Sequence, residues 1–190
     1  MQTATLIRRT PDGWQRRTLL DIDKLMAMER ALAAVTRMPT NINLAYAYWQ
    51  QRQRVSSVQV GTFEPHQRPE NNSMITIIDV DVENPWHYRF ASHKGRYFGW
   101  MDGKRLAEFP LAPIVDECAI EYLECKSAGR PVAHHIQHKL NGFSRNYLRL
   151  LLPLADCAGT TRALVSVVRH LAPQDPVESS QATRRGSTRP

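Results

Sequence analysis

Three extended apolar runs follow one another before a polar tail, Val132 to Leu140, Arg145 to Leu154 and Arg162 to Leu171, and only Asn141-Gly142 and Ala158-Gly159 mark the turns between them. Connections this short join antiparallel neighbours, because a parallel pair needs a crossover of about a dozen residues or more. The three runs therefore predict a contiguous antiparallel sheet with the Leu-Leu-Leu-Pro-Leu segment in its core, and every other element has to be placed around it.

Two further strands precede it. Met74 to Val82 is rich in β-branched residues and ends at Glu83-Asn84-Pro85, a turn sequence, and Trp86 to Ser92 reads as the second strand. His93 to Phe109 is studded with glycine and suits short helices and turns. Pro113 to Ser127 carries Ile114, Val115, Cys118, Tyr122 and Cys125 at helical spacing, opens on proline and stops at Gly129. Nearer the start, Leu19 to Arg37 repeats Ile22, Leu25, Met28, Leu32 and Val35 on one stripe, an amphipathic helix that ends at Met38-Pro39. Thr40 or Asn41 caps a second helix that runs to about Arg54, with Leu44, Tyr48 and Trp49 on a less regular stripe. Gly61 to Ser73 reads as a connecting loop.

The expected fold class is α+β: a five-stranded antiparallel sheet with the short helices and the longer helix on one face and the leading helix over the other. The chain divides into an N-terminal helical extension over 1–60, a domain over 61–171 and a tail over 172–190. The tail holds a single large apolar residue, Val177, and cannot offset its ordering entropy, so it is expected to be disordered.

No apolar run approaches the roughly 20 residues that span a bilayer, and Met1 to Thr10 leads into Pro11-Asp12-Gly13 instead of an apolar segment. A soluble cytoplasmic protein without membrane contact is the expectation. Cys118, Cys125 and Cys157 offer neither an even disulfide framework nor a close metal-binding pair. The net charge of +7 raises nucleic acid as a partner, but the 25 basic residues are spread along the chain in groups no larger than Arg8-Arg9, Arg16-Arg17 and Arg184-Arg185. Dispersion argues against a nucleic-acid groove, and a basic nucleic-acid-associated protein stands as the alternative reading.

Tyr88-Arg89-Phe90, the following Gly95, Phe98, Gly99 and Asp102-Gly103-Lys104-Arg105-Leu106, the next helix, and the strand Asn146 to Leu154 together resemble the PAS sensor domains. The likeness is to the short single-PAS-domain proteins of the alphaproteobacteria, and it covers about Leu44 to Leu171. It implies a PAS-like sensor domain over 61–171 with a ligand-sized cavity between sheet and helices, and a homodimer formed through flanking helices. It further implies a non-catalytic regulatory role in bacterial signal transduction, exerted on an unidentified signalling protein. No cofactor follows from it. Phe98-Gly99-Trp100-Met101-Asp102-Gly103 lacks the cysteine that a flavin photoadduct needs.

Candidate pocket-wall residues are Tyr88, Phe98, Trp100, His134 and Ile136. On a helix His134 and His138 would stand one turn apart at metal-ligand spacing, but on a strand they lie about 13 Å apart, too far to share a metal. They share a face with Val132, Ile136 and Leu140. Either histidine then touches a ligand or ligates a haem, or it is a strand-end histidine bonded to its neighbours. Cys118 and Cys125 lie about 10.5 Å apart along a helix, too far for a disulfide, and read as core packing. Arg89 and Arg149 are expected to point to solvent or to pair across the sheet. Ile22, Leu25, Met28, Leu32 and Val35 are candidates for the dimer interface, or cover the chain's own sheet. No Ser-His-Asp pattern, phosphate loop or paired carboxylates stand out, so catalysis is not expected.

Overall fold

Leu148, Leu150, Leu152 and Leu154 alternate with Arg149, Leu151 and Pro153, and all of them are buried. A strand buried on both faces must be covered on both, and that requirement sets the layering. The computed structural model describes residues 4–10, 13–55, 73–94, 101–110, 112–140 and 143–171. The elements are β1 (Thr5–Thr10), β2 (Gly13–Leu20), α1 (Ile22–Thr36), α2 (Asn41–Val55), β3 (Ser73–Asp79), β4 (Arg89–Lys94), α3 (Ala112–Ala128), β5 (Val132–Leu140), β6 (Phe143–Ala155) and β7 (Thr161–His170). The fold is α+β, with a seven-stranded antiparallel sheet in the order β1-β2-β5-β6-β7-β3-β4.

The sheet therefore exceeds the five strands expected. β1 and β2 pair antiparallel, Arg9 opposite Trp14 and Ile7 opposite Arg16, and β2 pairs with β5 from Leu140 to Ala133. Within the first 60 residues the described helices run over Ile22–Thr36 and Asn41–Val55, and before Asp21 the described residues 5–10 and 13–20 form strands. Trp86 to Ser92 is also corrected. Asn84 Oδ1 accepts the Trp86 N–H at 3.0 Å, so Pro85–His87 closes into a single 3₁₀ turn and the strand begins at Arg89.

Local chemistry accounts for the helix limits. Asp21 Oδ1 accepts the Lys24 N–H at 3.1 Å and Thr40 Oγ1 the Asn43 N–H at 3.2 Å, which satisfies donors that the first turns of α1 and α2 leave open. Gly129, at φ +58°, donates to the Cys125 carbonyl and ends α3.

Helices α1 and α2 cover one face, where Leu25, Ile42 and Ala45 pack on Leu148, Leu150, Leu152, Val165 and Val167. Trp49 Nε1 ties α2 to the sheet by donating to the Pro153 carbonyl at 2.8 Å. Helix α3 covers the other face, where Val115, Ala119 and Tyr122 meet Ile78, Phe90, Val132, Leu151 and Leu164. The stripe on α1 is split by this packing: Leu25 is buried, Ile22 and Leu32 are half-buried, and Met28 and Val35 are 56% and 84% exposed. Asn141, Gly142 and the tail lie outside the described residues. No helix of the described residues is long and apolar enough to cross a membrane.

Arg37 closes α1 in the left-handed conformation at φ 57°, with its N–H bonded to Ala33 O. A Cβ there is strained and glycine is not. Arg37→Gly is expected to raise unfolding stability by about 0.5 to 1 kcal/mol, the relief of strain exceeding the added chain entropy. A lower urea midpoint for the variant would show that the Arg37 side chain stabilises the end of α1.

Candidate functional site

Strand alternation sends Tyr147 and Arg149 of β6, Ser166, Val168 and His170 of β7, Thr76 of β3 and His138 of β5 toward the side that α3 covers. Between them and Ile114, Val115, Cys118 and Tyr122 of α3 lies a cavity of about 90 Å³. Phe90, Met101, Leu106 and Phe109 continue its apolar wall, and Arg145, an exposed residue of β6, stands where the lining meets solvent.

The histidine end is set by register. Arg145 stands opposite His138, and Tyr147 opposite His170. The Tyr147 ring lies between the two imidazoles, 6.0 Å from that of His138 and 5.8 Å from that of His170. Burial, reinforced by Arg145, Arg149 and His170, pushes the His138 pKa down from 6.5 to about 4. Burial and Arg145 lower that of His170 as well. Both rings are therefore neutral at pH 7.

Beside them, Arg149 Nη1 donates to Glu121 Oε2 at 2.7 Å and to Cys118 Sγ at 3.3 Å, with both charged partners buried. Its guanidinium lies 5.5 Å from the Tyr147 ring and 5.8 Å from that of Tyr122, within cation–π range. Burial opposes the arginine charge, but Cys118, Glu121, Tyr147 and Tyr122 outweigh it and hold the pKa well above its ordinary value. The expectation that Arg149 faces solvent or a strand neighbour is corrected. It faces inward, because α3 brings a carboxylate to meet it.

The Cys118 thiol and the Tyr122 phenol are both pushed up by burial, so neither is an activated nucleophile at neutral pH. Among the described residues no group of three or more His, Cys, Asp or Glu side chains is arranged to hold a metal ion. The cavity wall offers apolar contact, hydrogen bonds from imidazoles and hydroxyls, and positive charge.

The residues named from sequence fall in different places. Phe98 and Trp100 lie outside the described residues. Tyr88 is fully buried in the core beneath α3, where the Lys126 ammonium lies 5.4 Å from its ring, and it does not line the cavity. Ile136 packs against Tyr147 and Val168, two lining residues, from behind. His134 is buried under α3, with Nε2 3.4 Å from Glu124 Oε2 and Nδ1 3.7 Å from Glu121 Oε2. Of the two β5 histidines on that face, His138 is the one that lines the cavity. Arg145, Tyr147 and His170 were missed. The period-two alternation of β6 and β7 carries their facing, but only the pairing register shows that they meet.

No protein-family model, no curated protein and no solved structure matches this chain.

A histidine held neutral in the fold makes stability depend on pH. Below 6.5 the unfolded chain takes up a proton that folded His138 refuses until about pH 4, so its contribution is complete above 6.5 and is lost as pH falls toward 4. Between pH 7 and 4.5 the wild type is expected to lose about 1 to 3 kcal/mol more than His138→Gln in urea unfolding. An equal loss in both proteins would show that His138 titrates normally.

Proposed function

We propose that this chain is a non-catalytic, PAS-like sensory or regulatory module of bacterial signal transduction, which holds a small molecule between α3 and the sheet and acts through protein contacts. The observation that carries it is the cavity itself: an apolar hollow with a few polar groups converging at one end, the usual form of a small-molecule site. The element order supports the same reading. Two strands, β3 and β4, are followed by short helical turns and α3, and then by three consecutive antiparallel strands, as the resemblance implies. The cavity has room for on the order of half a dozen water-sized groups, which favours a metabolite over a haem or a flavin. On this reading the protein works in the cytoplasm as a homodimer, and Met28 and Val35, exposed along α1 beside Leu32, are the side chains that a second copy would cover.

Filling the hollow tests the proposal. Val168 is buried and lines it, so Val168→Phe occupies the space that a ligand would take. Native mass spectrometry and a thermal-shift panel of small metabolites are expected to show a retained or stabilising molecule with the wild type and none with the variant. A wild type that carries nothing and responds to nothing, or a response unchanged by Val168→Phe, would count against ligand binding in this cavity.

A specific observation favours the second reading, a basic nucleic-acid-associated protein. Pairing of β1, β2 and β5 gathers Arg9, Arg16 and Lys139 on one exposed sheet face with Trp14 and Ile7, so cations dispersed in sequence become neighbours. Phosphate binding by such a face is strongly salt-dependent. If it operates, Arg9→Glu combined with Arg16→Glu lowers the salt needed to elute the protein from heparin far more than the same two changes placed at Arg89 and Arg105. Equal effects from both pairs would reduce the retention to net charge.

A further inference from the structure

We infer that the ligand of the cavity is a small organic anion, its charged group held among His138, Arg145 and His170 and its apolar part against Phe90, Leu106 and Val115. This rests on the small-molecule reading above and names the chemical class of the ligand.

The lining residues include two arginines and two histidines, and none of them is acidic. The carboxylate nearest this end, that of Glu121, is engaged by Arg149 at 2.7 Å. From every element packed around the histidine end the facing groups are neutral or positive: His138 of β5, Arg145, Tyr147 and Arg149 of β6, Ser166 and His170 of β7, Thr76 of β3, and Cys118 and Tyr122 of α3. A cation would meet Arg145, which no acidic lining residue balances. An anion would supply the missing countercharge.

Two buried polar atoms point to the same class of ligand. His138 is 3% exposed and its Nδ1 has no hydrogen-bond partner, and Arg149 is 7% exposed with its Nε unpaired. Buried polar groups left unpaired cost about 1 to 3 kcal/mol each, so a native structure that retains them at a cavity wall is one that a ligand or water completes. A carboxylate accepts from imidazole and guanidinium N–H groups together, and a neutral apolar molecule accepts from neither.

The opposite wall fixes the rest of the ligand. Phe90, Leu106 and Val115 are buried, and Phe109 and Ile114 half-buried, so the body of the molecule is apolar. The volume limits it to a short chain or a single ring.

The test compares hexanoate, 1-hexanol and hexylammonium, which share a chain and differ in charge, by calorimetry with the full chain at pH 7. Hexanoate is expected to bind at least about tenfold more tightly than hexanol, the worth of one charge-assisted hydrogen bond, with no measurable binding of hexylammonium. Arg145→Gln, at an exposed position where folding is not at stake, is expected to bring hexanoate down to the level of hexanol and to leave hexanol unchanged. Hexanol or hexylammonium binding as well as hexanoate would overturn the anion assignment while leaving a small-molecule cavity in place. So would a hexanoate preference that survives both Arg145→Gln and His138→Asn, because it would locate the charge elsewhere. If none of the three binds, the anion assignment fails, and with Val168→Phe also silent the small-molecule reading fails with it.

Discussion

The sheet is basic and draws its buried countercharges from the helices α1 and α3 that cover it, and burial of those pairs organises the molecule. Among the seven described strands Asp79 is the only acidic residue. The buried carboxylates come from the helices: Glu29 from α1 and Glu117 and Glu121 from α3. Each covering layer is pinned by one of them to an arginine of the sheet, Glu29 to Arg169 on one face and Glu121 to Arg149 on the other. Glu124 extends the second contact to His134, whose ring holds the Glu124 carboxyl below its usual range, and Arg8 of β1 reaches Asp116 and Glu117 at 3.6 Å each. Such pairs add little net stability, since desolvating two charges costs about what their attraction returns. Breaking one by removing a partner costs about 3 to 5 kcal/mol, because a buried charge is left alone. Their effect is therefore on placement: an apolar helix can slide on an apolar sheet, whereas α3 fits at the one position where Glu121 meets Arg149.

The cavity follows from that placement. With α3 held at Glu121, Ile114, Val115 and Cys118 nearer its start line the hollow together with Thr76 of β3, Phe90 of β4 and Ser166 of β7. The contact that anchors the helix also lines the hollow, because Arg149 serves both. On the proposed function, a ligand drawing on the Nε of Arg149 would act on the group that positions α3, whose outer surface carries Ile120 and Leu123, 45% and 41% exposed.

Most of this sheet is legible in the sequence because its strands obey strong local rules. β5, β6 and β7 are apolar runs cut by turn chemistry, and at the second turn Asp156 accepts the N–H groups of Ala158 and Thr160 while Gly159 takes φ +81°. The pair β1–β2 escapes because Thr-Leu-Ile-Arg-Arg-Thr and Gly-Trp-Gln-Arg-Arg-Thr are largely exposed strands that show no apolar face. The signal that remained was the turn-favouring composition of Pro11-Asp12-Gly13 between two Arg-Arg pairs. The site was harder to read. Glu117, Glu121 and Glu124 lie beside the apolar stripe of α3 and look like a solvated edge until a basic strand is set against them, and Arg149, 28 residues beyond Glu121, looks like a surface charge for the same reason. Burial of a charge is a property of the pair, and no window along the chain contains both members.

The same sorting of charge explains why the polar end of the cavity is electropositive. Sheet residues have no acidic strand neighbours near β5 and β6, so wherever a helix does not bring a carboxylate down, the sheet keeps a positive field. Glu121 neutralises Arg149, but α3 ends its cover of β6 before Arg145, which stays exposed opposite His138. Burial first, and that positive field second, lower the pKa of both imidazoles. An anion beside them would favour their protonated forms, as a fall in pH does, and so the end of the sheet that the helices leave uncovered is where charge in this protein can change.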